Sequence, residues 1–323
     1  MITTTIIIFV LFLLAFGGFV AYDLATAKRR KEVYRVKSSA TAYLMLLPSV
    51  ALAFLFILLP ILYSLGYAFT DYYLLEPNKI NFTFFDNFVD LFKEISEKGM
   101  LYNAIKNTAT FVIGVVPLQI MLALLLALFV NRPGLGSKVF KVCFFAPVVI
   151  SLSITAFLWE QILASGEGGL LNSMLSVFGV PPHDWLRDPN TAMPCIIVLS
   201  AWQGCGYQML IFLSGLSNIR KDLYEASSLD GANWWHKFRV VTWPGLRSTF
   251  VYILITVFIG ACRILTQPML MTGYMSHTVT LSYYMYNSGY TERWVGLSSA
   301  VALLMTIFIG GITLIQRRAF REK

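Results

Sequence analysis

Apolar residues gather along this chain into seven long runs, at 2–22, 41–69, 104–130, 142–163, 192–216, 246–270 and 295–315. Short polar stretches separate them. About 20 apolar residues cover the hydrocarbon core of a bilayer, so each run is long enough to cross one. Each must be a helix, because lipid cannot satisfy an open strand edge. The expected fold class is an all-α integral membrane protein with seven transmembrane helices. Prolines interrupt several runs, at Pro48, Pro60, Pro117, Pro147 and Pro194. Each removes a backbone donor and kinks a helix, which serves either ordinary packing or a path that opens and closes.

Composition agrees. Of 323 residues, 57% are hydrophobic and 13% charged, with a mean hydropathy of +0.67. A water-soluble domain carries about 25% charged residues, so this chain lacks the polar surface to stay in water. That excludes a soluble enzyme, a disordered chain and a secreted disulfide scaffold. Cys143, Cys195, Cys205 and Cys262 all lie in apolar runs and read as small buried hydrophobes.

Basic residues set the orientation. Loops 27–40, 131–141 and 217–245, the tail 316–323 and Arg247 hold 18 Lys and Arg, whereas loops 70–103, 164–191 and 271–294 hold five. The positive-inside rule puts the first set in the cytoplasm, with the N-terminus outside and the C-terminus inside. The first run is preceded by no basic residue and followed by Lys28, Arg29, Arg30, Lys31, Arg35 and Lys37. It therefore reads as a retained helix rather than a signal peptide. The chain divides into 1–40, this helix and a basic cytoplasmic linker, and 41–323, a six-helix domain.

Catalytic patterns are missing. The sequence has no GxxxxGK[ST] phosphate loop, no HExxH, no GxSxG elbow and no Cys/His metal spacing. One acid, Glu160, falls inside a run. That is poor material for a proton relay and counts against an ion-coupled carrier. Arg263, also inside a run, is a cation costing about 2.5–3.5 kcal/mol at mid-membrane, so it needs a partner or a watery cavity. Glu160, helix carbonyls or a polar substrate could serve.

The third cytoplasmic loop is the unusual one. Leu223, Ala226 and Leu229 recur at helical spacing, with Asp222 placed to cap a short helix and Glu225 three residues on. Gly231 can take a positive φ and turn the chain. A second short helix is expected over 233–240, presenting Trp234, Trp235 and Phe238 ahead of Pro244. Physics alone divides this loop evenly between an anchor in the membrane interface and a dock for a partner protein.

The loop resembles the EAA loop of bacterial ABC importer permeases, E-A-A-x3-G-x9-I-x-L-P. Glu225, Ala226, Gly231 and Pro244 match; Ser227, Val241 and Trp243 replace alanine, isoleucine and leucine. The run Tyr224-Glu225-Ala226-Ser227-Ser228-Leu229-Asp230-Gly231-Ala232 is similar to the YEAAxLDGA of carbohydrate-importer permeases. So are Asn107-Thr108, Pro117-Leu118-Gln119, Phe145-Ala146-Pro147, Trp185-Leu186-Arg187-Asp188-Pro189, Met271-Thr272-Gly273 and Thr280-Leu281-Ser282-Tyr283-Tyr284. The resemblance is to binding-protein-dependent sugar importer permeases, on the maltose-transporter F side. The chain departs from it after Met271-Thr272-Gly273, where the family commonly continues MTGG-G-P and this chain has Tyr274-Met275, and at Arg263, where the family is usually neutral.

The resemblance implies the type I permease fold in the bacterial cytoplasmic membrane. It implies one of two homologous permease subunits, working with an ATPase dimer and an extracytoplasmic sugar-binding protein on a carbohydrate substrate. ATP and Mg would sit on the ATPase, with no cofactor on this chain. Lipid would surround it and nucleic acid would play no part. Tyr224, Glu225, Ala226, Ser227, Leu229, Asp230, Gly231, Ala232, Trp234, Trp235, Phe238 and Pro244 would couple it to the ATPase. For the substrate path the preferred lining is Ser200, Gln203, Tyr207 and Arg263, with Gln119 and Gln267 beside them; Trp159, Gln161 and Gln208 are further candidates.

The orientation has a direct check. Single cysteines at Ser96 and Asp188 should react with an impermeant thiol reagent from outside. Those at Ser137 and Ser228 should react only once the membrane is opened. Outside labelling at Ser228 overturns the alternation.

Overall fold

A computed structural model describes residues 2–29, 33–131, 135–166 and 168–320. The basic residues Arg30, Lys31, Arg132, Arg321 and Lys323 lie outside these. The chain is almost wholly helical: α1 Ile2–Arg29, α2 Val33–Ala53, α3 Leu59–Tyr67, α4 Asp86–Ser96, α5 Met100–Val130, α6 Leu135–Val149, α7 Leu152–Ile162 and α8 Leu170–Ser176. Then follow α9 Ala192–Ser217, α10 Lys221–Leu229, α11 Trp234–Lys237, α12 Trp243–Cys262, α13 Thr266–Met271, α14 Leu281–Tyr286 and α15 Val295–Ala319.

Among the described residues, five helical stretches are long and apolar enough to cross a membrane: Thr41–Tyr67, Met100–Val130, Ala192–Ser217, Trp234–Met271 and Val295–Ala319. A sixth is reached if Gly136–Val149 and Leu152–Ile162 count as one span. The expected seven therefore requires α1 as well, whose apolar stretch Ile8–Asp23 is shorter than the others. The second helix also begins at Val33, ahead of the run that starts at 41. α1 lies against it: Phe12 stacks on Phe54 at 3.8 Å between ring centres, and the Tyr43 hydroxyl donates to Asp23 Oδ2 at 3.1 Å.

The 142–163 run is not one helix. It breaks at Ile150–Ser151 and turns through 98°. Pro147 offers no N–H to the carbonyl four residues back, so the last turn of α6 is already weakened. The 246–270 run is likewise interrupted at Arg263–Leu265. Here Pro268 cannot donate to the Ile264 carbonyl, and Thr280 Oγ1 donates to it instead at 2.8 Å. Two wide π turns, Phe54–Leu58 and Phe238–Thr242, each end two residues before a proline, Pro60 and Pro244. A wide turn takes up the misfit where the proline removes the regular bond.

α5 and α9 form the centre, joined by α12. Phe111, Val115, Ile120, Ala123 and Ala127 of α5 pack with Ile196, Leu199, Met209 and Phe212 of α9 and with Ile253 and Val257 of α12. Small residues let the backbones approach, as is usual between membrane helices. A Cβ on Gly206 of α9 would lie 2.1 Å from the Phe144 carbonyl oxygen of α6.

A second apolar cluster lies at the end of the molecule carrying loops 70–99 and 272–294. It joins Leu91 of α4, Leu101 and Ala104 of α5, Tyr283 and Tyr284 of α14, and Ala300 and Val301 of α15. The Asn107-Thr108 pair fastens the loop before α14. Asn107 Nδ2 donates to the Ser276 and Val279 carbonyls at 2.9 Å, and Thr108 Oγ1 accepts from the Leu281 N–H at 2.9 Å. The Tyr284 hydroxyl donates to Glu94 Oε2 at 2.5 Å. Burial, with the neighbouring carboxylate, pushes that hydroxyl well above its usual pKa and keeps it a donor.

Gly206→Ala should cost about 1–3 kcal/mol, since the obstacle is backbone that cannot rotate away. The thermal midpoint of the detergent-solubilised protein reads this out. Gly310→Ala, whose added Cβ meets nothing within 4 Å, should leave the midpoint unchanged.

Candidate functional site

Two places gather the residues singled out by sequence. The first is a helical hairpin formed by α10 and α11. Asp222 does not cap α10: the N-cap is Arg220, which contributes no side-chain cap bond, and the Asp222 carboxylate pairs with the Arg220 guanidinium. The other end fits the expectation. Gly231 takes φ +75°, the Gly231 N–H donates to the Ser228 carbonyl at 3.1 Å, and the Ala232 N–H donates to the Ser227 carbonyl at 3.0 Å. This is the double bond of a Schellman turn, which ends α10 and reverses the chain.

Asn233 then caps α11, its Oδ1 accepting from the His236 N–H at 2.9 Å. The expected separate helix at 233–240 is instead the start of a longer one. α11 passes through the π turn Phe238–Thr242 directly into α12, and Pro244 lies within this continuous helix, its missing N–H accommodated by the wide turn just before it. Two side-chain bonds hold the hairpin closed: Tyr224 Oη with Thr242 Oγ1 at 2.9 Å, and Lys237 Nζ to Ser228 Oγ at 2.8 Å.

Between the arms runs a groove of about 800 Å³, lined in part by Ala226, Ser227, Asp230, Gly231, Ala232 and Pro244. Outside it, Phe238 stacks against Trp234 and Trp235 with centroids 5.8 and 5.6 Å away. Leu229 is 90% exposed, Trp234 64% and Trp235 61%; Glu225 is also exposed.

The second place is an open cavity of about 500 Å³ lined by α5, α9, α12 and the two helix breaks. Ser200, Gln203, Arg263, Gln119 and Gln267 all line it, joined by Gln208. Tyr207 does not; it is 51% exposed outside the lining. Trp159 packs on Trp202 at 5.8 Å instead, and Gln161 is exposed on α7, also outside the lining.

Gln119 Nε2 donates to Gln208 Oε1 at 3.0 Å, and Gly204 leaves the space that the Gln119 amide occupies. Gln203 Nε2 donates to Thr155 Oγ1 at 3.1 Å and to the Ile150 carbonyl, freed by the 150–151 break, at 3.4 Å. Ser200 Oγ donates to its own helix at the Ile196 carbonyl, 2.8 Å away. Thr155 and Gly204 were not legible in sequence. Thr155 is one hydroxyl in an apolar run, and Gly204 one of several small residues in α9.

Broken apolar helices thus surround a polar cavity, and one loop carries an exposed hairpin. Comparison with known proteins gives the family. The chain belongs to the family of binding-protein-dependent transport system inner membrane components, whose model matches residues 119–321.

It is 31% identical over 297 residues to the probable ABC transporter permease protein YesP of Bacillus subtilis, covering 90% of this chain and 93% of YesP. It is 30% identical to the lactose transport system permease protein LacF of Rhizobium radiobacter, covering 87% and 94%. A crystal structure of a bacterial ABC transporter involved in the import of the acidic polysaccharide alginate shares the fold. The TM-score is 0.80 at 24% identity, over 90% of this chain and 98% of that one. The protein is thus a multi-pass, non-catalytic ABC transporter permease subunit of the bacterial membrane; ATP hydrolysis belongs to a separate ATPase subunit.

Proposed function

We propose that this chain forms half of the translocation path of an ATP-driven carbohydrate importer, with residues 41–323 as the permease domain. A second, homologous permease supplies the other half. An extracytoplasmic binding protein delivers the sugar, and an ATPase dimer engages the α10–α11 hairpin from the cytoplasm. The N-terminus lies outside and the C-terminus inside. The cavity holding Gln119, Ser200, Gln203, Arg263 and Gln267 is the sugar path. The family and the lactose permease likeness support the carbohydrate class.

The observation that carries the coupling role is the hairpin itself. Leu229, Trp234 and Trp235 are exposed on a rigid turn, which is unfavourable in water and fits an apolar seat on a partner. Glu225 beside them is free to pair with a basic group of the ATPase.

Gly231→Pro tests this, because proline cannot adopt φ +75° and removes the N–H that closes the turn. With Glu225→Lys as its companion, the expected outcome is a normal amount of permease in the membrane, loss of co-purifying ATPase and loss of sugar uptake. Full ATPase recovery with normal uptake in both variants overturns the coupling role.

A further inference from the structure

Arg263 ends α12 at the break before α13, with φ −102° and ψ 16°. Its N–H donates to the Gly260 carbonyl at 3.1 Å, so the backbone is satisfied. The side chain is exposed and makes no ion pair or hydrogen bond among the described residues. It lines the cavity of about 500 Å³ and also a neighbouring one of about 640 Å³ between α12, α14 and α15. Neither lining contains an Asp or a Glu, and Glu160 on α7 belongs to neither. A lysine in such a place could shed its proton. A guanidinium cannot, so it stays a cation, held by water in the cavity until an anion meets it.

A second unmet polar group lies close by, in the packing behind the cavity wall. Gln203 is 8% exposed and buried among α7 and α9. The Ile150 carbonyl can only accept, which fixes Nε2 toward it and leaves Gln203 Oε1 as a buried acceptor with no donor. A ligand in this cavity that meets Arg263 carries an anion.

We propose that the imported carbohydrate is acidic, and that Arg263 pairs with its oxyanion, a uronate carboxylate or a phosphate ester. This rests on the carbohydrate-importer reading and narrows it. Both oxyanions accept the planar fork of arginine through two parallel bonds.

The test uses the complete importer with its binding protein, permease partner and ATPase, expressed in cells lacking other uptake of the probes. Three labelled probes are compared: a di- or trigalacturonate, glucose 6-phosphate and neutral lactose. The expected result is uptake of one anionic probe in preference to lactose, which distinguishes carboxylate from phosphate. Arg263→Gln should raise the half-saturating concentration of that probe about tenfold or more, the loss of a charge-assisted pair, without lowering permease in the membrane. Arg263→Lys should fall between the two.

Uptake of lactose that is indifferent to Arg263→Gln overturns the proposal. So does a fall in folded Arg263→Gln protein with uptake per molecule preserved, which makes the arginine structural. Loss of the second permease from the Arg263→Gln complex also overturns it, because the counter-ion is then an acid of that subunit. No uptake of any probe while the ATPase stays bound rejects the acidic substrate and leaves the importer standing. Absence of a bound ATPase from the wild-type complex removes the importer reading, and this proposal with it.

Discussion

In lipid, a backbone group that leaves its helix must find another partner inside the protein, and that requirement governs this structure. The chain leaves regular helix at 150–151 and at 263–265, both within apolar runs. Each break frees a carbonyl, and each carbonyl is met by a side chain from another element. Gln203 of α9 reaches Ile150, and Thr280 ahead of α14 reaches Ile264. An unmet group in hydrocarbon costs several kcal/mol, so these two side chains decide that the breaks exist at all. The breaks in turn open the cavity, since Ile150, Leu152 and the 263–267 segment form part of its wall. The polar site and the satisfied backbone are thus one construction.

This explains what the sequence could and could not disclose. The apolar runs were legible because bilayer thickness fixes their length. Three of the four preferred residues, with Gln119 and Gln267, converge on one cavity because polar side chains inside such runs have few places to go. The breaks were not legible. Pro147 read equally as a kink, Pro268 was not singled out, and the outcome depended on Gln203, 53 residues from Ile150, and on Thr280, 16 residues from Ile264. Tyr207 follows Ser200 and Gln203 at helical spacing, but spacing does not tell where along a helix a cavity ends.

Local chemistry read better at the hairpin than at its start. Gly231 turned as expected because only one residue type takes φ +75° without strain. Asp222 was misread as a cap because Arg220, two residues earlier, competes for its carboxylate. A guanidinium two residues away outbid an N–H that a carboxylate otherwise accepts. The second hairpin arm was placed too short because Pro244 looked like a boundary. Within the continuous helix the preceding π turn absorbs both the proline's shape and its missing N–H.

That last correction bears on how the two sites communicate. If the second arm ended before Pro244, a flexible joint would separate hairpin from membrane. Instead one helix runs unbroken from Trp234 to Cys262, roughly 40 Å at about 1.5 Å per residue. Its first turn carries Trp234 and Trp235, and its last residue adjoins Arg263 at the cavity wall. In the proposed importer, a displacement of the hairpin by an ATPase is therefore a displacement of the cavity wall. Rigid-body movement of this kind needs no chain of intermediate contacts, only a lever stiff along its length and a place where it can yield. The Arg263–Leu265 break is that place. Thr280 holds its carbonyl there, so the wall can move without leaving a backbone group unmet in lipid.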